Sequence, residues 1–357
     1  MAMKANHKTA IYYGHVNVGK STLLGHLLLK MGYITEHEMA KLEVDALRNK
    51  KSPFAYVTDS DEAEQASGNT NTSVRVDITY EGTDYTMYDT PGHQILATEF
   101  IKAANGVRYH DILGVGSWKQ RSYIPTTAVL LVSAINNEFA ASMIAGVPEE
   151  YSIICRCLGI KNLVVAVNKM DKIAWSDEWS DVREKVTALL KPIGYRNITF
   201  VPVSGVTGEG LVTRTEHFPE FPSLLESLQP DVNYDAEPIP STLAESELIL
   251  ESRQKASQLA PLKKAAVLVQ IFREKEVFLT AGWTGVVHYG DACTACTVRA
   301  VMDEGMRPVR NVVQSGRVIL LLDFDDNIIA GDGTKLIIRH NNKTVMGGIL
   351  KKKKPST

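Results

Sequence analysis

Gly14-His15-Val16-Asn17-Val18-Gly19-Lys20-Ser21-Thr22 follows the apolar stretch TAIYY and has the spacing G-x-x-x-x-G-K-S. Glycines let backbone N–H groups come close to phosphate oxygens, and a helix that starts there turns its positive end toward the same anion. The N–H groups from Asn17 to Thr22 are the expected cradle. Lys20 is placed to reach the β- and γ-phosphates, and Ser21 to offer its hydroxyl to Mg²⁺. A chance glycine turn would need neither the strand before the motif nor the helix after it.

A phosphate loop does not by itself choose a base. Asn168-Lys169-Met170-Asp171 directly follows the apolar run LVVAV. A carboxylate at Asp171 can accept from guanine N1–H and from its exocyclic amine. Adenine has neither donor in that arrangement and would leave the carboxylate unpaired. Asn168 and Lys169 brace this loop, and Ser204-Gly205 closes the base pocket from the end of the next run. Between the two motifs stands Asp89-Thr90-Pro91-Gly92-His93. Asp89 is a water-mediated Mg²⁺ ligand, the Gly92 amide a γ-phosphate sensor, and His93 is placed to orient an attacking water. The catalytic candidates are therefore His93, Gly92 and Lys20, acting on GTP.

These residues need a scaffold that brings loop ends together. TAIYYG, TAVLLVS, NLVVAVN and ITFVPVS read as parallel strands buried on both faces. VRVDITY and DYTMYD, joined across Glu81-Gly82, read as an antiparallel hairpin. Helical stretches lie between them, including 21–31, 94–104 and 179–190. Such alternation predicts an α/β, doubly wound, mostly parallel sheet with its ligand at the carboxyl ends of the strands. After Leu228 the acidic, proline-bearing QPDVNYDAEPIP reads as a linker, followed by a short helix. From Pro261 to Lys351 six short apolar runs, from AAVLVQIF to VMGGIL, read as a small all-β barrel or sandwich. The expected division is a GTP-binding domain at 1–230, a linker with a short helix at 231–260, a β-barrel at 261–351 and a basic tail at 352–357.

The 357 residues are 44% hydrophobic and 22% charged, with a formal net charge of −2. No overall field draws this chain to nucleic acid, so any RNA contact must be local. The opening MAMKANHKTA lacks the apolar core of a signal peptide, and no run is long enough to span a membrane. These features predict a cytoplasmic protein. The four cysteines fall in two close pairs, Cys155/Cys157 and Cys293/Cys296. The second is a C-x-x-C without a matching pair, and it sits in a strand-like run. Idle or buried thiols are expected rather than zinc.

Taken together, the motifs resemble those of the translational GTPases, in particular the elongation factor Tu / elongation factor 1-alpha class. GHVNVGKSTLLGHLL, FAYVTDSDEAEQASGNTNTS, MYDTPGHQILATEFIKAA, LGIKNLVVAVNKMD and FVPVSGVTGEG stand in family order across residues 9–228. The resemblance implies that Thr70 is the switch I threonine that joins Mg²⁺ in the GTP state. It also implies that His93 positions water when ribosomal RNA triggers hydrolysis. Three features depart from the family pattern. Ser67-Gly68-Asn69-Thr70 stands where relatives have Arg-Gly-Ile-Thr, so an ionic latch is lost and Asn69 replaces one half of an apolar gate whose other half, Val16, is kept. Asn17 replaces a frequent aspartate. Residues 106–127 form an insertion carrying Arg108, Tyr109, His110, Trp118, Lys119, Arg121 and Tyr123. That mixture suits RNA stacking and also suits an ordinary surface loop that packs its own aromatics.

Family members carry two barrels, whereas the residues after 260 leave room for one. GWTGVVHYGDACTACTVRAV and GDGTKLIIRHNNKTVMGGILK resemble the third domain, so the second domain is expected to be absent. The last stretch, from Lys335, includes KKKK at 351–354 and contains no acid. It could track phosphates or simply be solvated. The resemblance implies a monomeric, partner-stimulated GTPase using GTP/GDP and Mg²⁺, working with ribosome, tRNA or a release- or rescue-type protein. A GTP sensor acting off the ribosome is the alternative. A subunit coupled to sulfate activation shares the architecture but expects both barrels.

Overall fold

A computed structural model describes residues 6–48, 52–58, 72–105, 125–176, 179–228, 261–290, 292–309 and 312–351. They belong to two compact units, one within residues 1–234 and one within 235–357. The expected linker at 231–260, Thr70, Ser67 and Asn69 in switch I, the basic and aromatic residues of the insertion, and the tail at 352–357 all lie outside the described residues.

The first unit is built on a six-stranded sheet of order β2-β3-β1-β4-β5-β6. Its strands are β1 (Asn6–Tyr13), β2 (Val74–Tyr80), β3 (Thr83–Asp89), β4 (Thr127–Ser133), β5 (Asn162–Asn168) and β6 (Ile198–Pro202). β2 and β3 form the expected antiparallel hairpin, and β3, β1, β4, β5 and β6 run parallel. Every residue of β4 is buried, as a strand covered on both faces requires. Because the five strands are parallel, Tyr13, Asp89, Ser133, Asn168 and Pro202 all end at one edge of the sheet. The chain passes from β1 to β3 on one side and then to β4 on the other, so a crevice opens at that edge beside β1.

The helices are α1 (Lys20–Lys30), α2 (Glu36–Arg48), α3 (Ala97–Ala104), α4 (Asn136–Ile144), α5 (Val147–Cys157), α6 (Trp179–Ile193) and α7 (Leu224–Ser227). The stretch expected to be helical from residue 94 begins as a 3₁₀ turn, Gln94–Leu96, before α3. The helix expected at 179–190 continues to Ile193, with Pro192 in its last turn. A further 3₁₀ turn, Pro53–Val57, lies flat on α1. The contact is tight because residue 25 is glycine: a Cβ there would fall 1.9 Å from the Phe54 carbonyl oxygen. The His26 ring stacks on Phe54, with centroids 4.1 Å apart.

The second unit is a closed antiparallel barrel of order β10-β7-β12-β11-β8-β9. The strands are β7 (Leu262–Ile271), β8 (Thr284–Tyr289), β9 (Ala292–Met302), β10 (Arg317–Ile328), β11 (Lys335–His340) and β12 (Lys343–Lys351). The small barrel expected from the sequence is present, and the pairing of β10 with both β7 and β9 closes its ring. Val267, Val269, Leu320, Leu322, Leu336 and Ile338 fill it. Cys293 is exposed on β9 while Cys296 is buried, since residues three apart on a strand point to opposite faces. The two thiols therefore do not form a pincer for a metal.

His288 on β8 is buried in this barrel. Burial, and then the nearby Arg339 guanidinium, push its imidazole down to about 4. In the unfolded chain it titrates near ~6.5, so between that value and about 4 the unfolded state holds the extra proton. Stability should therefore fall as pH drops through that window and level off below it. Urea unfolding should show His288→Gln losing less stability than wild type between pH ~7 and ~5, by on the order of 1–2 kcal/mol. Equal losses would remove this histidine from the acid response.

Candidate functional site

The phosphate loop begins where β1 ends. Gly14 has φ 154°, and a Cβ on it would lie 2.4 Å from the Leu131 carbonyl oxygen of β4. Gly19 has φ 91°, and a Cβ there would lie 2.6 Å from Asn168 Nδ2. Asn17 also takes a left-handed conformation, φ 63°, which asparagine tolerates better than most residues. Only glycine fits at 14 and 19, so the loop keeps a bare backbone and α1 begins directly behind it with Lys20, Ser21 and Thr22. Bare N–H groups at a helix start form an anion cradle.

Lys20 is buried and its Nζ donates to the carbonyl oxygens of Gly14, 3.1 Å, and His15, 3.0 Å. Burial lowers its pKa to about 8, opposed by the charge of Asp89. Asp89 is fully buried beside it, and desolvation raises its carboxyl pKa against four stabilising neighbours: the Lys20 charge, the Ser21 and Thr58 hydroxyls and the Thr90 amide. Thr58 Oγ1 donates to Asp89 Oδ2 at 3.2 Å, and the Thr90 amide to Asp89 Oδ1 at 3.0 Å. A buried carboxylate touching a hydroxyl at the foot of a phosphate loop is a suitable donor set for a hard divalent cation. Ser21 and Asp89 are thus brought together as the sequence predicts. Thr70 lies outside the described residues.

The turn after β3 folds over this cradle. Thr90 Oγ1 donates to the Tyr12 carbonyl oxygen, 2.6 Å. A Cβ on Gly92 would fall 2.6 Å from Lys20 Nζ and 2.9 Å from Val16 N, so no other residue fits there without displacing the phosphate loop. His93 is exposed next to it, and its carbonyl oxygen accepts from Tyr151 OH of α5 at 2.8 Å.

The base loop lies across the same edge. Asn168 is buried; its Nδ2 donates to the Val18 carbonyl, 2.9 Å, and its Oδ1 accepts from the Gly205 amide, 2.9 Å. Lys169 takes φ 66° and its Nζ donates to the Asn17 carbonyl, 2.8 Å, and to Glu138 Oε2, 2.7 Å. Asp171 Oδ1 accepts from Ser204 Oγ at 2.6 Å. Beneath them, His26 Nδ1 donates to the Gly205 carbonyl at 2.9 Å, tying α1 to the Ser204-Gly205 turn. Asn17 to Thr22, Asn168, Lys169, Asp171, Ser204 and Gly205 thus form one continuous lining.

Sequence reading missed Thr58, Glu138 and Tyr151. Thr58 lies in a segment read only for Thr70, and Glu138 and Tyr151 come from segments with no motif of their own. It also missed α2, although Thr35 and Glu38 have the spacing of a capping box. The Glu38 amide donates to Thr35 Oγ1, 3.2 Å, and the Thr35 amide to Glu38 Oε2, 2.8 Å.

Residues 5–110 match the elongation factor Tu GTP binding domain. Elongation factor 1-alpha 2 of Euplotes crassus is 33% identical over 231 residues, which cover 62% of this chain and 48% of that one. Elongation factor 1-alpha of Hyperthermus butylicus is 32% identical over 260 residues, 68% of this chain and 53% of the relative. The chain spans about half the length of the curated relatives it matches. Among solved structures, the GTPase-like domain of S. cerevisiae Ski7 bound to GTP has a TM-score of 0.71 at 13% identity and 98% coverage of both chains. The bacterial selenocysteine-specific elongation factor EF-Sec has a TM-score of 0.59 at 16% identity, covering 97% of this chain and 58% of that one. At such identities the two structures share the fold alone. Among the described residues, no helix is long and apolar enough to cross a membrane.

Asn168→Ala removes both bonds between the phosphate loop and the Ser204-Gly205 turn and leaves the Val18 carbonyl and Gly205 amide unsatisfied. The urea midpoint should fall by an amount equivalent to about 2–4 kcal/mol. An unchanged midpoint would mean that the loops hold together without it.

Proposed function

Since the chain carries an elongation factor Tu-type GTP-binding domain and is a homologue of the translational GTPases, we propose that it is a GTP-hydrolysing switch of translation-factor type. The reading rests on one observation: Asn168 joins a bare-backbone anion cradle to a loop that presents the Asp171 carboxylate. In this reading the triphosphate of a purine nucleotide lies on residues 14–22 and its base edge at Asp171.

Each residue has a distinct part. The amides from Asn17 to Thr22 and the Lys20 ammonium bind the β- and γ-phosphates. Mg²⁺ would neutralise charge on those phosphates, held by Ser21, by Asp89 through water, and by Thr70. Asp171 accepts from the guanine N1–H and exocyclic amine, while the Ser204 hydroxyl fixes one of its oxygens. The Gly92 amide faces the γ-phosphate. His93 is exposed beside it and orients a water for in-line attack, so that the chain contributes positioning and charge rather than a strong base. GTP would hold the Gly92 turn against the γ-phosphate, and hydrolysis to GDP and phosphate would release it.

The resemblance to translation factors favours a ribosome, a tRNA or a release- or rescue-type protein as the stimulating partner, with the chain a cytoplasmic monomer. The barrel at 261–351 is taken as the counterpart of the third domain. Ser67 and Asn69 in switch I favour a second reading, a non-ribosomal GTP sensor with weak or no hydrolysis. GTPase assays with and without ribosomes separate the two, since only the first expects stimulation.

Two substitutions test the residue assignments. Asp171→Asn should weaken GTP binding by about 10²-fold or more and bring in xanthosine triphosphate, because the carboxamide meets xanthine's carbonyl where guanine has an amine. Unchanged GTP affinity would remove Asp171 from the base pocket. His93→Ala should lower partner-stimulated hydrolysis by about 10²-fold while GTP affinity stays within about threefold. Equal stimulated rates would remove the histidine's role.

A further inference from the structure

Glu138 belongs to none of the motifs, yet it touches the base loop directly. It sits in the first turn of α4, five residues beyond the end of β4. Its Oε2 accepts from Lys169 Nζ at 2.7 Å and from Ser133 Oγ at 2.7 Å. Ser133 in turn is held at the strand end, where its Oγ accepts from the Ile135 amide at 3.1 Å. The carboxylate is therefore fixed from behind and presents one oxygen to the lysine.

Lys169 is fixed at the same time from the other side. Its Nζ also donates to the Asn17 carbonyl of the phosphate loop, 2.8 Å. Its backbone is left-handed and leads into Asp171 two residues on. The methylene stem thus spans from the base loop to the phosphate loop, anchored at both ends. A free lysine would sample many rotamers, and fixing a side chain of that length costs conformational entropy. Glu138 meets that cost before any nucleotide arrives.

We propose that Glu138 is a positioning residue for the purine pocket: by pinning the Lys169 ammonium against the Asn17 carbonyl, it holds the lysine stem as a preformed wall along which the base lies. The proposal rests on the nucleotide-binding reading of this pocket and adds a residue to it. Glu138 acts only through Lys169. The ordinary alternative, an acidic residue that favours the start of α4 through the helix dipole, acts without the lysine.

A double-mutant cycle separates the two, read as GDP affinity by calorimetry on nucleotide-stripped protein. Glu138→Ala should weaken GDP binding about 5–10-fold, in line with loss of a charge-assisted hydrogen bond. In a Lys169→Ala background the same change should alter affinity by less than about twofold, because the group it positions is gone. Glu138→Gln keeps the side-chain length and an acceptor for Ser133 but not the charge, and should fall between, at about threefold. The gap between wild type and Glu138→Ala should narrow as salt rises, since the pair is part-exposed. Equal losses in both backgrounds, or no loss in a wild-type background that binds GDP, overturn the proposal. A wild-type chain that fails to bind GDP overturns the reading of the pocket itself, and this inference with it.

Discussion

The buried carboxamide of Asn168 is the interaction on which the site depends. It donates to the Val18 carbonyl of the phosphate loop and accepts from the Gly205 amide of the last loop, both at 2.9 Å. Three chain segments from the ends of three strands are locked in one register by one side chain. The lock works only because Gly19 has no Cβ, which would otherwise meet that same amide. Phosphate loop and base loop are thereby tied directly to each other, so that for a nucleotide bound as proposed the spacing between tail and base is set before binding. Preorganisation of this kind lowers the entropy that binding must overcome.

The opposite side of the cradle is built from a charge balance. Lys20 and Asp89 are both buried, and each is pushed toward its neutral form by desolvation while the other's charge pushes back. Neither would be stable alone at that depth. Their pairing, with Ser21 and Thr58 donating to the carboxylate, holds two strong charges next to the bare amides of the loop. Gly92 lies against the same lysine, in the turn that carries His93.

Much of this was legible in the sequence because it is local. The apolar runs that became β1, β4, β5 and β6 needed no tertiary information, and G-x-x-x-x-G-K-S, DTPGH and NKMD each occupy a strand end where the chain must turn. The hairpin across Glu81-Gly82 and the six barrel runs were legible for the same reason, although closure of the barrel depends on β10 pairing with both β7 and β9, which no local pattern encodes. Thr58, Glu138 and Tyr151 were not legible. Each acts on a residue at least 31 positions away in the chain, through a contact that exists only when the sheet has formed. The helix α2 was missed for another reason. Its exposed face carries Val44 and Leu47, which blurs the apolar stripe, while the Thr35–Glu38 cap that marks its start was overlooked.

The central claim is that this edge of the sheet selects guanine and holds a triphosphate beside it. Calorimetry on nucleotide-stripped protein with Mg²⁺, titrated in turn with GTP and ATP, tests it most directly. Selection by the Asp171 carboxylate requires GTP to bind at least about 10²-fold more tightly than ATP. Comparable affinities for the two nucleotides, or no binding of either, would contradict it.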